Sequence, residues 1–279
     1  MALDDDPLES TIAAAQAAGR VLLEMLGGPL EVACKSSPND LVSSADRAAE
    51  AVLIAALRRA CPEASILAEE SGLIGRAAGE GPLPPPGELR WVIDPLDGTT
   101  NFSRGIPHFA VSVALCDHEG PRVGVVHDPV RGETFAAVRG RGAALRRDGR
   151  AERVLAVSRT DTLARALLAT GFAYDRVRTG VMNLDEVARL IPRIACLRRA
   201  GSAALDLAYV AAGRLDGYWE FHLQPWDVAA GALLVAEAGG EVLSLRGGPF
   251  ALGCGDLVAA GPRLLPSLLA ELRAARGAG

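Results

Sequence analysis

The sequence predicts a mixed fold of the α+β or α/β class, and three observations support this prediction. A helical pattern opens the chain between Asp4 and Leu26. From Phe109 to Arg139 the chain alternates in short β-like runs that Gly, Pro and Asp residues separate. After that stretch, segments typical of helices and of strands follow one another. We therefore expect two halves, residues 1–150 and 151–279, with a boundary near residue 150.

Two helices are predicted in the first half. The first carries Pro7 near its start and ends at Gly27-Gly28, which are a start signal and a stop signal for a helix. The second is expected from Ser43 to Ala60. Ser43 and Asp46 have the spacing of a capping box, and a Cys-Pro pair follows the segment.

Strands are predicted downstream of these helices. The apolar runs Ser65–Ala68 and Leu89–Ile93 indicate buried strands, and each is followed by carboxylates. The segment Gly79–Gly87 contains successive prolines and predicts a surface loop. The β-like runs that follow indicate an antiparallel meander, at residues 109–116, 122–127 and 134–138.

The second half is predicted to alternate between helices and strands. No repeat of fixed period is visible, which excludes solenoids and propellers. The predicted segments lie at residues 162–169, 194–197, 202–212, 217–221, 228–238, 241–245, 257–259 and 263–274.

Composition restricts the classes of protein to consider. With 49% hydrophobic and 23% charged residues, the 279-residue chain is predicted to be globular and long enough to bury a core. Its net charge of -5 gives no surplus of positive charge, so nucleic acid is not an expected partner. The basic stretch from Arg139 to Arg153 is interpreted as a solvated hairpin rim, with an RNA or an acidic partner as the alternative.

Cysteine usage and the first residues predict the compartment. The five cysteines include no C-x-x-C pair, which disfavours a disulfide framework or a structural zinc site. Residues 1–9 are acidic and lack an apolar signal core, and no run approaches the roughly 20 apolar residues of a membrane span. We therefore expect a cytoplasmic protein with no membrane partner.

Acidic residues stand at the ends of apolar runs in three separate places. They are Glu69 with Glu70, Asp94 with Asp97, and Asp227. If the fold brings them together, their like charges require a neutralising cation, and carboxylate oxygens favour Mg²⁺, Ca²⁺ or Mn²⁺. The sequence therefore predicts a Mg²⁺ site.

A turn of small residues follows Asp97. The backbone N–H groups of Gly98 and Thr99 can approach a phosphate, and the hydroxyls of Thr99 and Thr100 can position a water. Carboxylates beside such amides predict the metal-assisted transfer of a phosphoryl group to water.

Long segments of the chain resemble the signature segments of the inositol monophosphatase family, within the superfamily that includes fructose-1,6-bisphosphatase. They are LAEESG at 67–72, WVIDPLDGTTNF at 91–102 and PWDVAAGALLVAEAGG at 225–240, and their order also matches. The resemblance implies a layered α-β-α-β-α sandwich of the sugar phosphatase type. It also implies a Mg²⁺-dependent, Li⁺-sensitive phosphomonoesterase that forms a homodimer.

The resemblance implies a set of metal ligands, residue by residue. Glu69, Asp94 and the carbonyl of Leu96 resemble the ligands of a first Mg²⁺ ion. Asp94, Asp97 and Asp227 resemble those of a second ion, and Glu69 would hold a third ion through water. Two or three ions per active site are therefore expected, with Mn²⁺ as a substitute.

Catalytic roles are implied in the same way. Glu69 and Thr99 would aim the nucleophilic water, and Asp46 would hydrogen-bond the threonine. The backbone of Asp97, Gly98 and Thr99 would hold the phosphate.

The substrate's hydroxyls and the supporting residues complete the implied site. Ala203 through its backbone, Glu220 and Asp227 would bind hydroxyls of a polyol. Lys35 and Glu70 would support the catalytic residues.

Each of these acids also has an ordinary structural interpretation. Asp46 matches a helix cap, and Glu69 with Glu70 matches a solvated strand end. Asp94 before proline matches the start of a turn, and Asp227 matches the N-cap of the helix that follows it. All four interpretations must hold together for the metal site to be absent.

The predicted function is the hydrolysis of inositol monophosphate or a related small polyol phosphate. Alternatives within the superfamily are a histidinol-phosphate phosphatase, a fructose-1,6-bisphosphatase and a nucleotide 3′-phosphatase. An aspartyl-phosphate route is disfavoured because the chain has D-x-x-D rather than D-x-D, and its only lysine, Lys35, precedes the motif. A non-enzymatic alternative is a regulatory binding protein that retains the fold.

Overall fold

The computed structural model of the chain describes residues 7–34, 41–75, 81–147, 150–246 and 248–276. Within these ranges the chain forms eight α-helices. They are α1 (Pro7–Met25), α2 (Ser44–Ala60), α3 (Thr99–Ser103), α4 (Arg176–Thr179), α5 (Leu184–Leu190), α6 (Ala203–Ala211), α7 (Pro225–Glu237) and α8 (Leu265–Arg276).

The larger of two main sheets is built mostly from the first half of the chain. Its neighbouring strands are antiparallel except for β3 and β5, which are parallel. A separate antiparallel pair joins β1 (Val32–Cys34) to β2 (Leu41–Ser43). The spatial order of the larger sheet is β10 (Arg153–Val154), β9 (Ala143–Arg147), β8 (Glu133–Val138), β7 (Gly120–Asp128), β6 (Ala110–Asp117), β5 (Arg90–Asp97), β3 (Ser65–Ala68) and β4 (Gly72–Ile74).

The smaller sheet comes from the second half of the chain. The spatial order of its strands is β12 (Cys196–Arg198), β11 (Leu167–Thr170), β13 (Gly217–Glu220), β15 (Leu257–Ala260) and β14 (Glu241–Leu243). In this order the first three strands are parallel to one another, and β15 is antiparallel to both of its neighbours.

Helices and sheets form a layered α-β-α-β-α sandwich, which confirms the expected architecture. Helices α1 and α2 pack on one face of the larger sheet, and α6 and α7 lie between the two sheets. Helix α8 covers the other face of the smaller sheet. Successive residues of β13 show the two faces, because Tyr218 joins the central core while Trp219 joins the outer one.

Several predicted elements are confirmed. Helix α2 begins at Ser44 with Ser43 as its N-cap, and the capping box with Asp46 is present. Strand β3 has the predicted bounds, and the predicted meander forms β6, β7 and β8. The predicted segment 162–169 divides into a 3-10 turn at Leu163–Arg165 and strand β11.

Other predictions are corrected or lie outside the described residues. Helix α7 begins at Pro225 with Gln224 as its N-cap, so Asp227 lies within the first turn and is not the N-cap. Helices α4 and α5 had no sequence signal strong enough to predict them. Lys35, the residues before Pro7 and the first part of the predicted loop at 79–87 lie outside the described ranges.

The basic stretch forms the outer strands β9 and β10. Arg139 pairs with Asp117 at 3.0 Å, and Arg147 pairs with the buried Glu133. Among the helices of the described ranges, none combines the length and apolar character that crossing a bilayer requires.

Helix α7 approaches the larger sheet most closely where β7 carries a glycine. A Cβ atom on Gly124 would lie 2.9 Å from the carbonyl oxygen of Ala230 and 3.0 Å from its Cα atom. Because these are backbone atoms of α7, they cannot move aside as a flexible side chain would. Glycine at this position therefore lets α7 pack close to the sheet at Ala230.

We expect Gly124→Ala to lower the free energy of unfolding by about 1–3 kcal/mol, since overpacking displaces the helix. Urea denaturation of the variant measures this change. Gly81→Ala is the matched control, because a Cβ there has no heavy atom within 4 Å and the φ angle of Gly81 is not in the left-handed region. Wild-type stability of Gly124→Ala would contradict the close contact.

Candidate active site

Two neighbouring parallel strands deliver three of the predicted acids to one end of the larger sheet. Glu69 follows β3, and its N–H donates to the carbonyl of Ile93 at 3.2 Å, immediately before Asp94. The pairing of β5 with β6 shifts in register between Asp94 and Asp97. In this bulge the N–H of Leu96 donates to Asp94 Oδ1 at 2.9 Å. The bulge therefore fixes the Asp94 side chain and turns the chain towards Asp97.

The fourth acid comes from the helix layer between the sheets. Asp227 lies in the first turn of α7, where its Oδ2 accepts the N–H of Gln224 at 2.7 Å. Burial raises the pKa of Asp227 well above its ordinary value, and the charges of Asp97 and Glu69 raise it further. Asp227 therefore shares one electrostatic environment with the strand-end acids.

Asp94 is the most enclosed member of this cluster, with 2% of its surface exposed. Burial raises its pKa well above the ordinary value, and the charges of Glu69, Asp97 and Asp227 add to the effect. A side-chain hydrogen bond with Glu69 acts in the same direction. The structure thus brings together the four carboxylates that the sequence predicted as metal ligands.

The chemistry of this donor set suits a hard divalent cation. A cation removes the mutual repulsion of the carboxylates, and carboxylate oxygens are the ligands that Mg²⁺ prefers. Across the described ranges, no group of three or more His, Cys, Asp or Glu side chains is arranged so that it could hold an ion by itself. Mg²⁺ fits such an open arrangement, because it keeps several waters and takes one or two carboxylates together with a substrate phosphate.

Asp97 joins the strand-end cluster to the helix layer. Its Oδ2 accepts the hydroxyl of Ser202 at 2.6 Å and the N–H of Ala204 at 2.7 Å. Burial raises the pKa of Asp97 to about 6, and these bonds with that of the Ala203 N–H act against the rise. The amide of Ala203, predicted to face a substrate hydroxyl, is therefore directed at Asp97 in this structure.

Asp46 and Thr99 form a buried hydrogen-bonded pair beside the cluster. The Thr99 hydroxyl lies 2.9 Å from Asp46 Oδ1 and 3.1 Å from the carbonyl oxygen of Leu96. The other oxygen of Asp46 accepts the N–H of Ser43 at 2.8 Å and its hydroxyl at 2.6 Å. Asp46 is thus both the capping residue that sequence reasoning considered and the partner of the motif threonine.

Gly98 makes the turn between β5 and α3. Its φ angle is +103°, and a Cβ atom there would lie 3.1 Å from the carbonyl oxygen of His108 and 3.3 Å from that of Gly201. Both the backbone conformation and the available space therefore require glycine. From α3, Asn101 Nδ2 donates to the carbonyls of His108 at 2.7 Å and Ala200 at 2.9 Å, which fixes the facing loop.

Glu220 ends β13 and faces the same space from the smaller sheet. The Tyr218 hydroxyl donates to Glu220 Oε2 at 2.5 Å. Burial raises the pKa of Glu220 to about 7, while the bond from Tyr218 and the charge of Arg199 act in the opposite direction. A Cβ atom on Gly171 would overlap the Glu220 carboxylate, so glycine there leaves room for it.

Five of the predicted residues line one cleft between the two halves of the chain, while Asp46, Asp94 and Thr99 lie behind its surface. The inner part includes Asp97, Ala203, Glu220 and Asp227. The outer part has a volume of about 710 Å³ and is lined by Glu69, Glu220 and Asp227 among others. This volume lies within the range of about 300–1,000 Å³ that small-molecule sites occupy.

Three ionisable residues of the inner cleft are missed by the sequence analysis, and they are Tyr174, Arg199 and Asp206. Asp206 is 3% exposed, and burial raises its pKa well above the ordinary value. The one available signal was its position one helical turn after Ser202, which places it near the start of α6. Tyr174 and Arg199 lie on irregular segments that carry no motif.

The structure describes only one of the two residues predicted to support the catalytic residues, Lys35 and Glu70. Lys35 lies outside the described residues. The N–H of Glu70 donates to Glu50 Oε2 at 2.9 Å, and the Ser71 hydroxyl contacts the other oxygen of Glu50. Glu50 of α2 therefore fixes the backbone that follows Glu69.

The model of the inositol monophosphatase family matches residues 4–277. The chain belongs to this family. A protein of Pasteurella multocida (strain Pm70) named Nus factor SuhB is 43% identical over 268 residues, which cover 95% of each chain. A Synechocystis protein named inositol-1-monophosphatase is 43% identical over 267 residues, which cover 96% of this chain and 88% of that protein.

A solved inositol monophosphatase structure from Anabaena (Nostoc) shares the fold with a TM-score of 0.82 and 40% identity, covering 96% of this chain and 95% of that one. Membership of the inositol monophosphatase family supports a phosphatase activity. Proteins named SuhB and proteins named inositol monophosphatase are thus both similar to this chain.

We expect Asp46→Asn to lower the kcat of phosphatase activity by about 10²-fold, because its amide oxygen would accept from Ser43 and its NH₂ group would face the Thr99 hydroxyl. Ser43→Ala is the matched control: it removes the hydroxyl on the other oxygen of Asp46 and leaves the contact with Thr99. Both variants weaken the cap of α2 and should lose about 1 kcal/mol of stability. Steady-state kinetics measures the effect of each variant on kcat, and thermal denaturation measures its effect on stability. An equal fall of kcat in both variants would contradict the contact between Asp46 and Thr99.

Proposed function

We propose that the chain hydrolyses inositol monophosphate or a related small polyol phosphate with Mg²⁺ as its cofactor. The observation that supports this most is the carboxylate cluster beside the Asp46–Thr99 pair, at the floor of an open cleft. A bound divalent cation would neutralise the carboxylates and lower the pKa of a water.

The residues that would hold the ions are those carried over from the family motif. Glu69, Asp94 and the carbonyl of Leu96 would hold the first ion. Asp94, Asp97 and Asp227 would hold the second once the ion draws these three carboxylates together, since they do not enclose an ion by themselves. Their separate origins in β3, β5 and α7 give each ion open positions for water and phosphate oxygens.

Thr99 and Glu69 would orient the attacking water. Because Asp46 Oδ1 and the Leu96 carbonyl oxygen are both acceptors, the Thr99 hydroxyl donates to one of them, and the lone pairs of Thr99 Oγ1 remain to accept a hydrogen bond from that water. Glu69 would provide the second acceptor. Two fixed acceptors define the direction of attack, which is the positioning that phosphoryl transfer requires.

The phosphate and the leaving group would lie on either side of Asp97. The N–H groups of the Asp97-Gly98-Thr99 turn would hold the phosphate oxygens. Glu220 and Asp227 would contact hydroxyls of the polyol, and Tyr218 holds Glu220 in place for this role. The Ala203 amide, which bonds Asp97, would instead help to fix that ligand.

A panel of phosphomonoesters with purified protein and Mg²⁺ tests the proposal. We expect inositol 1-phosphate to have a higher kcat/KM than histidinol phosphate, fructose 1,6-bisphosphate or a nucleotide 3′-phosphate. If kcat/KM is highest for one of the other three compounds, the proposed substrate class is wrong and the proposed phosphatase mechanism is unaffected. Absence of turnover on all four would contradict the mechanism.

We expect Asp94→Asn to lower kcat at least about a hundredfold, since it removes a ligand shared by two ions. Adding a chelator to the wild type should have the same effect. Asp117→Asn is the control, because Asp117 pairs with Arg139 at the far end of β6. Near-wild-type turnover of Asp94→Asn would contradict the assigned metal set.

Glu220→Gln tests the contact with the polyol. We expect it to reduce the preference for inositol 1-phosphate over a simple alkyl phosphate, because the amide accepts hydroxyl hydrogen bonds less well than the carboxylate. The Mg²⁺ dependence should not change, since Glu220 is not a proposed ligand. The measurement is kcat/KM for both substrates, and an unchanged ratio would remove Glu220 from the substrate site.

We also propose that the chain forms a homodimer, as the family resemblance implies, and that it is located in a reducing cytoplasm. The exposed apolar side chains of one region support it, since they leave an unpartnered apolar surface. Light scattering should give twice the 29.0 kDa of the chain, and a monomer mass would contradict the dimer. These side chains are Val177, Met182, Leu184 and Ile191.

A second role, as a regulatory binding protein, is supported by the name Nus factor SuhB of the Pasteurella multocida relative. The role does not depend on turnover. The Asp94→Asn chain should therefore restore growth to cells whose defect arises from loss of the wild-type chain. Failure of this folded variant to do so would contradict a role independent of catalysis.

A further inference from the structure

A second cavity lies at the edge of the larger sheet formed by β9 and β10, and it shares no lining residue with the candidate active site. Its volume is about 240 Å³. Four arginines and two apolar residues line it, and no carboxylate does within the described part of the chain. We call it the arginine cavity, and its residues are Leu145, Arg147, Arg150, Ala151, Arg153 and Arg214.

The strand pairing puts several of these side chains on one face of the sheet. Leu145 and Arg147 are two residues apart on β9, so they share a face. Arg153 of β10 is paired with Leu145, and Glu133 of β8 is paired with Arg147. Because directly paired residues point to the same face, two arginines and one glutamate lie together beside an apolar side chain.

Arg214 comes to the arginine cavity from the central helix layer, three residues after α6 ends. Its guanidinium donates to both oxygens of Glu133, at 2.5 Å and 2.7 Å. The same guanidinium lies 5.3 Å from the centre of the Phe135 ring and 4.8 Å from that of the Tyr209 ring. These contacts hold the Arg214 side chain in place before a ligand binds, which lowers the entropic cost of binding.

Positive charge exceeds negative charge in the arginine cavity. Arg147 also pairs with Glu133, so one buried carboxylate serves two guanidiniums. Arg150 and Arg153 are exposed and form no ion pair with another described residue. Loss of hydration lowers the pKa of Arg147, and the charges of the other three arginines lower it further. Its buried Nε has no hydrogen-bond partner among the described residues. A bound anion would therefore relieve repulsion and supply missing acceptors.

We propose that the arginine cavity binds an oligophosphate group, such as a diphosphate or triphosphate, either free or carried by a nucleotide. Guanidinium forks match pairs of phosphate oxygens, and four guanidiniums that share one described carboxylate suit a ligand with several negative charges. The inference does not depend on the proposed function.

A short phosphate chain fits the arginine cavity better than single-stranded RNA does. Surfaces that bind single strands combine basic groups with aromatic side chains on which the bases stack. None of the described residues that line the arginine cavity is aromatic. The two rings nearest to it, those of Phe135 and Tyr209, are covered by the Arg214 guanidinium.

Calorimetry of the metal-free protein with inorganic triphosphate tests the proposal. Without divalent cations the carboxylates of the candidate active site repel anions, so the arginine cavity is the site that is measured. We expect one triphosphate per chain with a Kd below about 1 mM at about 0.15 M salt, and a Tm that rises with its concentration. Asp94→Asn should bind triphosphate as the wild type does, because Asp94 is not part of the arginine cavity.

Arg150→Gln and Arg153→Gln are the test variants. Neither loses an ion pair with a described residue, so both should keep the wild-type Tm without ligand. Each should weaken triphosphate binding at least about tenfold, the size of one lost charge-assisted hydrogen bond. Arg141→Gln is the matched control, because it removes one exposed positive charge of the same basic stretch outside the arginine cavity. Its Kd should change less than about twofold, since salt screens exposed charges.

Four ligands distinguish the outcomes: triphosphate, ATP, citrate and a single-stranded RNA oligonucleotide. Tighter binding of ATP than of triphosphate identifies a nucleotide as the source of the phosphates, and equal or weaker binding of ATP identifies free oligophosphate. Equal binding of citrate would show a general attraction of anions and overturn the proposal. Tighter binding of the RNA, no binding of triphosphate, or an equal loss in all three arginine variants would also overturn it. Loss of binding in Asp94→Asn would move the anion to the carboxylate cluster and overturn it as well.

Discussion

The main physical constraint on this site is the mutual repulsion of four carboxylates that the fold brings together. Glu69 follows β3, Asp94 lies within the neighbouring parallel strand β5, Asp97 ends β5, and Asp227 comes from a helix of the central layer. Burial removes the water that would screen these charges, which is why the pKa of Asp94 and of Asp227 is raised well above its ordinary value. The folded chain alone therefore carries a local electrostatic strain that a bound cation would relieve.

The central helix layer connects the two halves of the chain to this cluster. The N-terminus of α6 donates from Ser202 and Ala204 to Asp97, and the first turn of α7 carries Asp227. Helix N-termini favour negative charge, so both helices partly offset the repulsion that the strand ends create. Gly124 allows α7 to lie against the larger sheet, and this packing determines where Asp227 stands.

The acids and most strands could be predicted because their signals are local. Each acid ends an apolar run, and the capping box of α2 lies within four residues of sequence. The contact between Thr99 and Asp46 joins residues 53 apart, and the contact between Ser202 and Asp97 joins residues 105 apart. No periodicity or spacing encodes such long-range pairs, so only the family resemblance suggested the first and nothing suggested the second.

The unpredicted parts of the site share a physical reason. Tyr174 and Arg199 of the inner cleft and Arg178 and His222 of the outer cleft lie on a short helix or on irregular segments, whose positions follow from tertiary packing. Helix α4 has four residues and α5 has seven, too few for a hydrophobic period to indicate a helix. Part of the cleft lining therefore comes from segments that sequence patterns describe least.

Titration of the metal-free protein with Mg²⁺, followed by calorimetry and thermal denaturation, tests the central claim most directly. If the carboxylate cluster is a divalent-cation site, Mg²⁺ binds to at least two positions per chain and the Tm rises with its concentration, because the ion stabilises only the folded state. Binding should be absent in Asp94→Asn at the same concentrations. No heat of binding and an unchanged Tm in the wild type would contradict the account.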